Sequence, residues 1–244
     1  MISNQFDTEL KNKRSIICCS AGADSTYLAH LISEHIPMPH ILLYINHQQR
    51  PKEIDNEIDH VHTLGKALNK KVIVKSIQTG KQTSQEYFRD ERIRIINELC
   101  KAEHIQTVFS GHHLNDDIET IIVQLLKGST YNLAGIPKKT EFKNFTMYHP
   151  LLAISKEEII QSLTHRNIKF CHDSSNDTDK YTRNKNRPII ETLLSINNSK
   201  PHTIKNSIDY LKSNQKKLQN KSQKLNVITM HNNICFIKKT PKLN

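Results

Sequence analysis

Ser20, Asp24, Ser25 and Thr26, set among the small residues Ala21, Gly22 and Ala23, are the first group in this 244-residue chain whose types and spacing suit a chemical task. Hydroxyls and backbone N–H groups in such a turn can converge on an anion, and a helix beginning there adds its positive end. A nucleotide phosphate is the expected ligand. The competing reading is a tight strand-to-helix turn in which Asp24 or Ser25 merely caps the helix. The six glycines form neither G-x-G-x-x-G nor G-x-x-x-x-G-K-S/T, which excludes an ordinary dinucleotide loop and a Walker loop.

A second group runs from Gly111 through His112, His113, Asn115, Asp116 and Glu119 to Thr120. Asp116 and Glu119 are three apart and share a helical face, a spacing suited to Mg²⁺ or to an ammonium group held against a phosphate. Helix capping by Asn115 and Asp116 is the alternative. His112 and His113 could touch nucleotide or substrate, with ordinary hydrogen bonding equally open. Arg89 and Arg92 are also three apart on a helix, where a solvated charged face competes with phosphate binding. A fourth group is His172-Asp173-Ser174-Ser175-Asn176 followed by Arg183, Asn184, Lys185 and Arg187, a polar loop whose basic end could grip a phosphate backbone.

These groups need a frame to bring them together. The apolar runs at 15–19, 41–45, 72–77 and 107–110 predict strands, and helical patterns near 53–69 and 83–102 separate them. Thr83-Ser84-Gln85-Glu86 and Ser155-Lys156-Glu157-Glu158 both read as capping boxes. Alternating strands and helices predict a parallel sheet covered on both faces, with residues 20–26, 46–50 and 111–117 at the carboxyl ends of strands. After about residue 190, Ile204, Ile208, Leu211, Leu218 and Leu225 mark one side of a long basic helix, and 227–230 with 234–237 predict a small hairpin. The expected organisation is a catalytic domain over 1–190 and a basic helix with a hairpin over 191–244.

Lys and Arg outnumber Asp and Glu by 35 to 24, a formal charge of +11 that favours a polyanion such as nucleic acid as partner. A lysine- and asparagine-rich coding bias is the competing source of that charge. No run suits a membrane span or a signal peptide, so a soluble cytoplasmic protein is expected. The five cysteines include no C-x-x-C pair and read as reduced thiols.

In this order the four groups resemble the tRNA(Ile)-lysidine synthetases, within the PP-loop (N-type) ATP pyrophosphatases. Ser20, Gly22, Asp24 and Ser25 match that family's S-G-G-x-D-S, with Ala21 departing. Gly111, His112, His113, Asp116, Glu119 and Thr120 match G-H-H-x-D-D-x-x-E-T, with Asn115 departing. Arg89 and Arg92 match its arginine helix, His47 and Arg50 its second strand end, and Asn176, Arg183, Asn184 and Arg187 its D-P-S-N and R-N-R-x-R signature, in which Ser174 replaces proline.

The resemblance covers roughly residues 14–190. It implies a Rossmann-like α/β fold, ATP and Mg²⁺ as cofactors, and tRNA(Ile) with a CAU anticodon and free L-lysine as substrates; a homodimer is left open. The implied reaction adenylates C2 of the wobble cytidine, after which the lysine ε-amine displaces AMP. By the same resemblance Ser20, Ala21, Gly22, Ala23, Asp24, Ser25, His47, Gly111 and His112 hold the nucleotide, Asp24 being also the candidate metal contact. Asp24, Asp116, Glu119, Arg89 and Arg92 are the catalytic candidates. His113, Arg50, Asn176, Arg183, Asn184 and Arg187 are assigned to substrate or tRNA. Ala21 is the weak point, because a positive φ would strain a residue carrying a β-carbon and impair the loop. Asn115 keeps a carbonyl acceptor, so hydrogen bonding is expected of it rather than metal binding. Three rivals stand beside this reading: a PP-loop tRNA thiolase, a non-catalytic tRNA-binding remnant, and an amidotransferase-type synthetase.

Overall fold

A computed structural model describes residues 8–48, 51–78, 84–128, 134–171, 192, 200–224, 227–231 and 234–237. The chain divides into two compact units, 1–193 and 194–244. The first opens with a short helix, α1 (Thr8–Lys11), and then alternates β1 (Ser15–Cys18), α2 (Ala23–His35), β2 (His40–Asn46), α3 (Pro51–Leu68), β3 (Lys71–Ser76), α4 (Gln85–Glu103), β4 (Thr107–Phe109) and α5 (Leu114–Leu126). Strands β5 (Lys139–Glu141) and β6 (Thr146–Tyr148) and helix α6 (Lys156–His165) follow.

The six strands form one sheet in the order β3-β2-β1-β4-β6-β5. All neighbours are parallel except β5, which pairs antiparallel with β6 at the edge. The near-continuous apolar composition of β1 and β2 follows from burial on both faces. Alternation sorts it: Ile17, Leu42, Tyr44 and Phe109 pack with Leu28, Ile32, Val61 and Leu163 from α2, α3 and α6. Ile16, Ile41, Leu43 and Val108 pack on the other face with Ile96, Leu99 and Cys100 from α4.

The chain winds from β1 outward through β2 to β3, then returns to place β4 on the other flank of β1. That reversal opens a crevice between the carboxyl ends of β1 and β4, the position where open α/β sheets take ligands. Of the two expected capping boxes, one forms and one does not. Ser155 and Glu158 do close a reciprocal box at α6. At α4 the cap is instead Ser84, whose Oγ accepts from the Tyr87 N–H at 3.1 Å. The register is set one residue later than Thr83, and position N3 then holds a tyrosine that cannot reciprocate.

The second unit comprises α7 (Pro201–Lys224) and the antiparallel pair β7 (Val227–His231) and β8 (Ile234–Ile237). Tyr210 and Leu211 are exposed on α7, and Lys205 pairs with Asp209 one turn on at 2.6 Å. No helix among the described residues is long and apolar enough to cross a membrane.

Candidate active site

The segment after β1 turns at Ala21, whose φ is +66°. For an alanine this left-handed conformation costs about 1–2 kcal/mol. Local bonds offset it. The Ala21 carbonyl accepts from the Cys171 N–H at 2.9 Å and from Thr26 Oγ1 at 3.4 Å, and its methyl is fully buried. The Ser25 hydroxyl sits inside the turn, accepting from the Ser20 N–H at 3.0 Å and donating to the Gly22 carbonyl at 3.1 Å. Neither Asp24 nor Ser25 caps α2. The N-cap is Gly22, and among the described residues no side-chain cap bond closes the start of the helix. A helix start left open in this way retains its anion-binding capacity.

The segment after β4 approaches this turn at Gly111, with space there for no more than an ordinary van der Waals contact. A β-carbon there would lie 3.4 Å from the Asp24 carbonyl carbon and 3.5 Å from the Ser25 nitrogen. Two residues on, His113 is the N-cap of α5, and Asp116 completes a capping box by accepting from the His113 N–H at 3.0 Å. Capping by Asp116 is therefore realised, whereas Asn115 does not cap α5. The Asn115 Oδ1 accepts from the Lys156 N–H at 3.1 Å and ties the start of α6 to the start of α5. The acceptor expected to survive the loss of charge is the atom in use.

His113 Nδ1 accepts from the Asn115 N–H at 3.2 Å, so the ring of the neutral histidine carries its proton on Nε2. That nitrogen lies 3.8 Å from Asp24 Oδ2 and 3.5 Å from Asp116 Oδ2. His113, which the resemblance assigns to substrate or tRNA, has a side chain 1% exposed. It stands between two carboxylates. Glu119 is buried one turn further along α5. The neighbouring Asp117 accepts from the Ile136 N–H at 2.7 Å.

His112 bonds outward from the same strand end. Its Nδ1 lies 3.0 Å from Ser110 Oγ and 3.2 Å from His149 Nδ1. His149, at the end of β6, is buried and pushed down to about 4 by that burial and by His112, with Asp116 opposing. His149 was absent from the sequence reading, because a lone histidine after a short strand carries no motif. Lys156 was also missed: its Nζ lies 2.6 Å from Asp24 Oδ1 across 132 residues of chain. Its sequence context shows only a capping box, and nothing local points back to Asp24.

His47 follows β2 half-buried, its ring edge-on to Phe88 of α4 at 5.7 Å. Arg89 and Arg92 are exposed on α4. The Arg92 charge reaches the Cys18 thiol at the end of β1, opposing the rise to about 12 that burial imposes. Burial likewise raises Cys100 to about 11, so both thiols stay protonated. Arg50, Asn176, Arg183, Asn184 and Arg187 lie outside the described residues. A depression of about 510 Å³ lined by Cys100, Lys101, Phe142 and Lys143 lies at the amino ends of β4 and β6. It is at the opposite end of the sheet from these groups.

A parallel sheet with an open helix start after its first strand and an acidic helix start beside it defines the PP-loop class, and the PP-loop domain profile matches residues 2–193. The tRNA(Ile)-lysidine synthase of Campylobacter jejuni strain RM1221 is 30% identical over 219 residues, covering 89% of this chain and 67% of that protein. The chain belongs to the tRNA(Ile)-lysidine synthase family. A second relative so named, from Mycoplasma mycoides subsp. mycoides SC, is 30% identical over 218 residues, and the chain spans 54% of its length. Among solved structures, the U34-tRNA thiolase NcsA from Methanococcus maripaludis, with its [4Fe-4S] cluster, superposes with a TM-score of 0.69 over 86% of this chain and 76% of its own. At 17% identity that likeness speaks for the fold alone.

Proposed function

We propose that this protein is an ATP-dependent tRNA-modifying enzyme that joins lysine to C2 of the wobble cytidine in the CAU anticodon of tRNA(Ile). The observation that carries the reading is the meeting of Asp24, at the open start of α2, with His113 and Asp116 from α5 and Lys156 from α6. The cytidine C2 oxygen attacks the α-phosphorus of ATP and pyrophosphate leaves. The lysine ε-amine then attacks C2, and the C–O bond breaks to release AMP and leave lysidine.

The amides opening α2 and the Ser20 hydroxyl would receive the phosphates, where fixed dipoles act without reorganising. Asp24 suits a magnesium contact. Its carboxylate already faces a cationic group, and Mg²⁺ commonly takes one or two carboxylates with substrate phosphates and water. Bound there, Mg²⁺ would offset charge on the departing pyrophosphate. Asp116 and Glu119 are proposed to receive the lysine ammonium and to help remove its proton, since only the neutral amine attacks. His113 would keep Asp116 oriented through its fixed Nε2 proton. Arg89, Arg92, Arg50, Asn176, Arg183, Asn184 and Arg187 are proposed for tRNA or phosphate contacts.

The catalytic unit is proposed to span about 1–190, with 191–244 adding basic surface for tRNA. Incubation with ATP, labelled lysine and a CAU-anticodon tRNA(Ile) transcript is expected to yield lysine bonded to the tRNA. Intact tRNA binding with no incorporation would instead identify a non-catalytic remnant.

A further inference from the structure

We infer that Lys156 is a phosphate-binding residue held in reserve on Asp24, an inference that rests on the first loop taking the nucleotide's phosphates. Its ammonium is 2.6 Å from Asp24 Oδ1, and the two side chains are 27% and 30% exposed. An ion pair so open to water adds little to stability. The start of α6 also has ties of its own. It is held by the Asn115 bond to the Lys156 N–H, by the Leu114 N–H donating to the Ile154 carbonyl at 3.0 Å, and by the Ser155 and Glu158 box.

What the pair does change is the charge at the mouth of α2. Without Lys156, an incoming polyphosphate would meet the Asp24 and Asp116 carboxylates, with the helix dipole opposing their charge. The α-carbon of Lys156 is fixed by the anchored helix start, while its four-carbon stem is free to rotate. The ammonium can therefore swing from the Asp24 carboxylate to a phosphate oxygen with no backbone movement. That exchange exposes Asp24 to a divalent cation as the phosphate arrives, so cation and polyphosphate enter together. By holding the Asp24 carboxylate, the lysine competes with the metal for it.

Isothermal titration with inorganic pyrophosphate at fixed Mg²⁺, and separately with Mn²⁺ alone, tests this on the full chain without tRNA or lysine. Lys156→Met is expected to weaken pyrophosphate binding at least tenfold while leaving Mn²⁺ binding unchanged or tighter. Lys156→Arg is expected to restore most of the pyrophosphate affinity. A Met variant within twofold of the parent for pyrophosphate overturns the inference and leaves an ordinary surface ion pair. Loss of both ligands together with a lowered melting temperature also overturns it, in favour of a structural role. If the parent protein binds no pyrophosphate, the phosphate reading of the first loop itself fails, a result separable from failure of the variant alone.

Discussion

Helices α2 and α5 begin side by side at the carboxyl end of the sheet, and they are closed in opposite ways. At α2 the cap position is Gly22 and, among the described residues, no side-chain cap bond closes the start; at α5 His113 and Asp116 form a reciprocal capping box. The first start keeps its positive end available to an incoming anion. The second uses its polar groups internally and thereby fixes a histidine and a carboxylate beside the first. Start α6, closed like α5, fixes Lys156 in the same manner. An open helix end provides binding capacity, and closed ends provide position. Both have to lie at one crevice for the arrangement to act as a site.

The largest expected effect falls on the residue at the open start. Asp24→Ala should reduce lysine incorporation by about 100-fold or more, measured with labelled lysine, while circular dichroism and the melting temperature stay near those of the parent. Normal incorporation would break the assignment of the open start as the reacting end. Next comes acid sensitivity on the closed side. His149 titrates near 4 when folded against 6.5 unfolded, so its contribution to stability is present above pH 6.5 and is lost as pH falls toward 4. The groups facing it are His112, which deepens the effect, and Asp116, which opposes it. Melting curves between pH 7 and 4 should show this loss, and His149→Asn should flatten that part of the profile.

A smaller effect is expected from Ser155→Ala, which removes a cap and should cost about 1 kcal/mol of stability in urea titrations. A change confined to stability would keep α6 on the positioning side of the comparison; loss of pyrophosphate affinity as well would show that the cap also sets the reach of Lys156. The smallest concerns Ala21→Gly. Relief of the positive φ and loss of a buried methyl oppose each other, so stability should move by less than about 1 kcal/mol. ATP affinity, followed by titration calorimetry, should hold or improve. A marked loss would mean that this loop depends on its alanine.

Several parts of the site were legible along the chain because the signals are local. The run Ser15–Cys18 reads as a buried strand because it is apolar at every other position on both faces, and the small-residue turn after it must leave backbone groups exposed. The motif order of Ser20 to Ser25, Arg89 with Arg92, Gly111 to Thr120 and Asp173 to Arg187 carries the family resemblance in the sequence alone. Other assignments could not be made locally. Whether Asp116 caps or faces substrate depends on where α5 starts, and a shift of one residue changes the answer, as Ser84 shows at α4. That His113 turns inward depends on how closely the segment after β4 approaches the segment after β1.

By itself the sequence determined the alternation of strands and helices, the family motifs and the excess of positive charge, because each is written in neighbouring residues or in composition. Only the tertiary structure decided which charges meet. The reversal that sets β4 beside β1 brings Gly111 against Asp24, and the tie from Asn115 to α6 delivers Lys156 to the same carboxylate. Contacts between residues 132 positions apart arise from strand order and helix anchoring, and no periodicity along the chain encodes them.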